Sequence, residues 1–194
     1  MRMFVALTPS EQAVSDLDDF LSVRREAAPF RWAAAEQFHV TLAFLADVPD
    51  RKLDDLVERL GRAAHRRTRF DARIAGGGAF PNPARARVVW AGLEVDEPGR
   101  VELGRMATGA RAAASKAGVE VDGQRFHPHL TVARLGRPQE VSNWVRLLDA
   151  YRGPAWPADQ VELIASHLGE GPRRRPRYEL VGSFPLAASD TLGN

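Results

Sequence analysis

Residues 30–48 read "FRWAAAEQFHVTLAFLADV". Phe38, Val40, Leu42 and Phe44 alternate with His39, Thr41 and Ala43, the period-two pattern of a strand that buries one face. An imidazole and a hydroxyl then share the other face, because residues i and i+2 of a strand point the same way. Taken alone, such a pair is an ordinary solvated face. Further along the chain the pattern returns. Residues 128–135 read "PHLTVARL" against "FHVTLAFL" at 38–45, apolar-His-apolar-Thr-apolar-Ala-x-Leu in both. Five histidines and six threonines in 194 residues give about 0.15 expected His-x-Thr matches, so two with matching flanks are not a coincidence of composition.

Two such strands facing across a groove would turn two imidazoles and two hydroxyls toward one small ligand. In-line displacement at phosphorus wants that set. One neutral imidazole takes a proton from the attacking oxygen, and a second, charged one gives a proton to the leaving oxygen on the opposite side. The hydroxyls hold the non-bridging oxygens. Histidine suits both roles because its ordinary pKa of about 6.5 lies near working pH.

The rest of the chain fits a globular protein with a sizeable core: 44% of residues are hydrophobic and 27% charged. No apolar run reaches membrane-spanning length, and "MRMFVALTPSEQ" reads directly into structure rather than as a signal peptide. The absence of cysteine excludes disulfides, thiolate metal sites and cysteine nucleophiles, and fits a cytoplasmic protein. Net charge is only +2. Lysine occurs only at Lys52 and Lys116, so the cations are arginines, which suit phosphate but also follow from a GC-rich genome.

Along the chain, "RMFVAL" at 2–7 reads as a strand. A helix follows to about Arg25, with Thr8 as N-cap, Pro9 at its first position and Glu11 closing a capping box. A short strand is expected around Arg31–Ala33, and a helix over 50–66 on Leu53, Leu56, Val57 and Leu60. "FDARIAG" and "RVVWAGLEV" read as strands joined by the loop "GGAFPNPARA"; "AGGGAF" lacks the Lys-Ser/Thr ending of a phosphate loop. A helix over 98–116 stops at Gly118, and another covers about 138–149. "DQVELIASHL" and "RYELVGSFPL" form a closing hairpin around "GEGPRRRP". The tail over 187–194 reads as flexible. Irregular alternation with hairpin turns favours an α+β fold with antiparallel sheets over a doubly wound parallel sheet.

"HVTL" at His39–Leu42 and "HLTV" at His129–Val132 resemble the signature of the two-histidine phosphoesterase superfamily. With "RWAAAEQFHVTLAFLADV", "FPNPARARVVWAGLE", "FHPHLTVARL" and "SHLGEGPRRRPRYELVGSFPL", the chain over residues 2–186 looks like its LigT-like branch, the RNA 2′,3′-cyclic phosphodiesterases often labelled 2′–5′ RNA ligases. The resemblance implies a single bilobed, duplicated α+β domain over 1–186. Its two antiparallel sheets would be flanked by helices, with the active site in the cleft between them. It implies opening of RNA 2′,3′-cyclic phosphate ends to 2′-phosphomonoesters by a monomer, without ATP, metal or other cofactor, with 2′–5′ ligation as the reverse direction. Carried over by position, His39 is the general acid, His129 the general base, and Thr41 and Thr131 hold the phosphate. Arg134 matches a phosphate-contacting arginine. Strict alternation puts it on the face opposite His129, so that role needs a bulge or the strand's end.

Other readings remain beside this one. His127, His129 and His39 could make a three-histidine zinc site, though that leaves the paired threonines unexplained. The same cleft could serve a small cyclic-phosphate nucleotide or 2′–5′ oligoadenylate, or bind RNA ends without catalysis. Phe44 and Phe126 are candidates to stack on a base, with core packing the alternative for each. "RRRPR" at 173–177 departs from the branch's compact last turn and reads as a solvated hairpin tip, the alternative being phosphate contact along an RNA strand. His65 reads as a helix C-terminal residue, His167 as structural, and Trp32, Trp90, Trp144 and Trp156 as core.

Overall fold

The structure, a computed structural model, describes residues 1–188. Among the described residues nine strands form two antiparallel sheets and four helices cover them. The first sheet has the order β3-β1-β8-β9, with β1 Met3–Leu7, β3 Val40–Leu45, β8 Gln160–His167 and β9 Arg177–Pro185. The second has the order β2-β6-β5-β4-β7, with β2 Arg31–Trp32, β4 Phe70–Phe80, β5 Ala86–Val95, β6 Leu130–Gln139 and β7 Arg152–Ala158. Helices α2 (Asp50–His65) and α3 (Glu97–Lys116) pack on each other and back the first sheet. Helices α1 (Glu11–Ser22) and α4 (Ser142–Asp149) back the second. The expected α+β class with antiparallel sheets is the one observed.

Residues 30–48 stitch the sheets together. β2 pairs with β6 in the second sheet, a 3-10 turn at Ala35–Gln37 follows, and the chain then enters β3 in the first. Phe38 anchors this crossing, its side chain 2% exposed.

The two motif strands share a register. On β3, Thr41 faces Ala6 and Ala43 faces Val5, leaving Leu42 as an extra residue. On β6, Thr131 faces Trp90 and Ala133 faces Val89, leaving Val132 extra. Each is a β-bulge in which two residues oppose one, so alternation flips just after the threonine. Leu42 and Ala43, and likewise Val132 and Ala133, are therefore buried in succession. The residue three past each threonine, Phe44 or Arg134, returns to the threonine's face.

Several elements differ from the sequence reading. The N-cap of α1 is Ser10, whose Oγ accepts from the Ala13 N–H at 3.2 Å, while the Thr8 hydroxyl donates to Glu162. Serine is the better N-cap of the two, and with Ser10 in that place Pro9 falls outside the helix. The same helix ends at Ser22 rather than near Arg25, and α4 starts at Ser142 because β6 runs on to Gln139. "AGGGAF" is not a loop: β4 runs through it with a register shift between Ile74 and Gly77. A Cβ on Gly78 would lie 2.2 Å from the Trp90 ring, so glycine there lets the indole lie across the strand. β7 was unexpected, since Pro154 and Pro157 interrupt it. It lies at a sheet edge, where proline is tolerated. Ala187, read as the start of a tail, bridges Thr68 and exchanges backbone hydrogen bonds with Arg67 and Arg69. Residues 189–194 of that tail lie outside the described residues. No helix is long and apolar enough to cross a membrane among the described residues.

Candidate active site

Both motif histidines sit one residue before their strand, at the entry to β3 and β6. There each lies just outside the paired strand, and each ring is fixed by its own local chain. His39 Nδ1 donates to the Gln37 carbonyl at 2.7 Å, and His129 Nδ1 donates to the His127 carbonyl at 2.6 Å. A carbonyl only accepts, so Nδ1 carries the hydrogen in both rings and Nε2 is left without one, as an acceptor. His39 Nε2 lies 3.0 Å from Thr41 Oγ1.

The two rings are packed differently. Phe4 of β1 stacks on His39 with centroids 4.4 Å apart, and Tyr178 of β9 meets it edge-on at 5.6 Å. Phe80 meets His129 edge-on at 4.9 Å. Burial drives the His39 pKa down to about 4. The charges of His129 and Arg134 add to this, and the Gln37 carbonyl opposes it. The His129 pKa is lowered too, chiefly by burial and further by His127 and Arg134, against the His127 carbonyl. Both rings are thus neutral at pH 7 in the ligand-free protein.

His39, Thr41, His129 and Thr131 line one cleft of about 810 Å³, together with Arg134 and Phe44. That volume suits a nucleotide-sized ligand. The bulges at Leu42 and Val132 put the last two there, meeting the condition that strict alternation had set against Arg134. The guanidinium of Arg2 lies over the Phe44 ring at 4.5 Å. Phe126 does not reach the cleft. It lies in the extended run between α3 and β6 and packs on the core instead, which corrects its candidacy as a base-stacking residue. A more open groove of about 970 Å³ between α2 and α3 contains no histidine.

His127 packs against Phe80 and Trp90, and no three His, Cys, Asp or Glu side chains are grouped as metal ligands among the described residues. Trp90 is not core either: it is half-buried between Phe80 and the rings of His127 and His129. Trp32 is buried and also borders the cleft. His167 contacts Glu179 at 2.9 Å within the last hairpin, and His65 ends α2 exposed, as their sequence contexts suggest.

Sequence reasoning missed the residues that frame His39. Phe4 and Tyr178 sit in strands whose pattern reads only as sheet, and Gln37 carries no signal at all. The arginine run did carry one. Arg173 and Arg174 are exposed, as a solvated tip requires, yet with Arg175 and Pro176 they also form part of the cleft wall.

Comparison with known proteins agrees with this geometry. The family model described as LigT-like phosphoesterase matches residues 7–90 and 93–173. A Thermus thermophilus protein named RNA 2′,3′-cyclic phosphodiesterase is 30% identical over 96% of this chain and 90% of its own length. One of the same name from Geobacillus stearothermophilus is 27% identical over 94% of this chain, which spans only 56% of that relative. The crystal structure of apo LigT from Escherichia coli superposes with a TM-score of 0.75 at 25% identity, over 96% of this chain and 97% of that one. With two His-x-Thr strands turned into one cleft, and with these matches along nearly its whole length, the chain belongs to the LigT-like phosphoesterase family.

Proposed function

We propose that this protein opens 2′,3′-cyclic phosphate ends of RNA to 2′-phosphomonoesters by acid–base transfer between His39 and His129. The observation that carries this reading is the matched pair of imidazoles. Each is held through Nδ1 by the carbonyl two residues back, and each borders the same cleft beside a threonine hydroxyl. His129 Nε2 takes a proton from water as its oxygen attacks phosphorus. The P–O3′ bond breaks, and O3′ takes the proton held on His39 Nε2. Thr41, Thr131 and Arg134 hold the non-bridging oxygens. The Thr41 hydroxyl, which contacts His39 Nε2 in the ligand-free protein, turns to the phosphate when it enters. A 5′-hydroxyl that attacks in place of water, its proton passing to His129 and O3′ leaving in the same way, gives 2′–5′ ligation.

The relatives' names support the substrate class. The acid and base assignments follow the family resemblance and stand to be tested by regiochemistry. An RNA ending in a 2′,3′-cyclic phosphate, incubated with the protein and resolved against both standards, yields the 2′-phosphate. Release of only the 3′-phosphate overturns the leaving-group assignment, and no turnover overturns the enzymatic reading in favour of an RNA-end binding module.

A further inference from the structure

A cyclic phosphate diester carries a single negative charge, and Arg134 already stands beside the two imidazoles, depressing both of their pKa values. The cleft is far more basic than that charge demands. Arg2, Arg31, Arg134, Arg173, Arg174 and Arg175 all line it, and no carboxylate does among the described residues. Three of the six come from one short turn between β8 and β9. That turn has a built conformation. Arg173 and Arg174 hold φ of 53° and 59°, a left-handed backbone that favours glycine. The Gly171 N–H donates to the Arg175 carbonyl at 2.8 Å, and the Arg175 N–H to the Pro172 carbonyl at 3.1 Å.

The run divides by partner. Arg177 pairs with Glu170 at 2.8 Å and with Glu179 at 3.7 Å, and so closes the hairpin. Arg173, Arg174 and Arg175 have no carboxylate partner among the described residues. The base of the turn is tied to the reacting centre by one residue. Gln37 donates its side-chain Nε2 to the Pro176 carbonyl at 2.8 Å, while its own carbonyl accepts from His39 Nδ1. The turn therefore has a fixed place beside the imidazole. Guanidinium forks match phosphate oxygens, and arginines interleaved with the rings of Phe30, Phe44 and Tyr178 are the composition of a groove for single-stranded nucleic acid.

We propose that the Arg173–Arg175 turn is a second phosphate subsite, which takes internucleotide phosphates on the 5′ side of the cyclic end and so selects an RNA strand over a mononucleotide. This inference rests on the reading of the His39–His129 cleft as the cyclic-phosphate site. The test compares kcat/KM for a mononucleoside 2′,3′-cyclic phosphate with that for a pentanucleotide ending in the same cyclic nucleotide, across a range of salt. The wild-type protein favours the pentanucleotide by about tenfold or more at low salt, and the advantage shrinks as salt rises, by a log–log slope of about 0.7 per phosphate neutralised. The variant R173Q/R174Q/R175Q brings the ratio toward one and flattens that slope, whereas the triple lysine variant keeps most of both. A wild-type ratio near one, with both substrates turned over, overturns the subsite and leaves the proposed reaction standing. Losses in the glutamine variant that fall equally on both substrates overturn it as well. Failure of the wild-type protein on both substrates sinks the proposed reaction itself.

Discussion

His39 presents a conflict that the substrate must resolve. As a general acid it has to carry a proton on Nε2, yet burial holds its pKa at about 4 in the ligand-free protein. A bound phosphate places a negative charge roughly 4 Å from the imidazolium. At an effective dielectric of about 20 that is worth about 4 kcal/mol, equivalent to about three pH units at 1.36 kcal/mol each. The His39 pKa should therefore climb from about 4 to about 7 when the site is filled. Imidazole 1H–15N correlation spectra, followed against pH with and without saturating nucleoside 2′-monophosphate, read this directly. The ring should titrate far below 6.5 when free and near neutrality when bound. A free His39 that titrates near 6.5, or a bound one that stays near 4, refutes the idea that substrate loads the acid. The sign for stability follows. The folded state rejects a proton that the unfolded chain accepts at 6.5, so this stabilisation is complete above pH 6.5 and lost as pH falls toward 4. The wild-type melting temperature should drop across that window, and His39→Gln should flatten the drop.

His39→Ala and His129→Ala should each lower kcat by about 10²–10⁴-fold, and the double mutant should lose far less than the product of the two, because paired groups act as a unit. Wild-type turnover in both single mutants would mean the histidines only contact ligand. Turnover should survive an excess of chelator; activity lost to chelator and restored by zinc would return the reaction to a metal. Gly78→Ala drives a Cβ into the Trp90 ring; overpacking of this kind costs about 1–3 kcal/mol, or several degrees in melting temperature for a chain of this size. An unchanged melting curve would show that the indole moves aside freely.

What could be read before the structure, and what could not, divides along a physical line. Period-two patterning and the repeated His-x-Thr reveal each strand by itself, since they depend only on which side of a pleat a residue occupies. A bulge breaks that rule and leaves no mark in composition. Val132 and Ala133 are both small apolar residues that fit either a regular strand or the bulge, so Arg134 could be brought to His129's face only on condition. The register against β5 supplies the condition. Phe44 is the same case on β3. Contacts between elements were illegible for a different reason. Phe4, Tyr178 and the arginine turn come from β1, β9 and the last hairpin, far from His39 in sequence, and nothing local to them records which histidine they will meet. Gln37 shows how much depends on such contacts. It carries no motif, yet its backbone oxygen sets the tautomer of His39 and its amide holds the turn of Arg173–Arg175 beside it. The orientation of the His39 ring and the charge along the cleft are thus coupled through one uncharged residue, its carbonyl serving the first and its amide the second, in the part of residues 30–48 that patterning leaves blank.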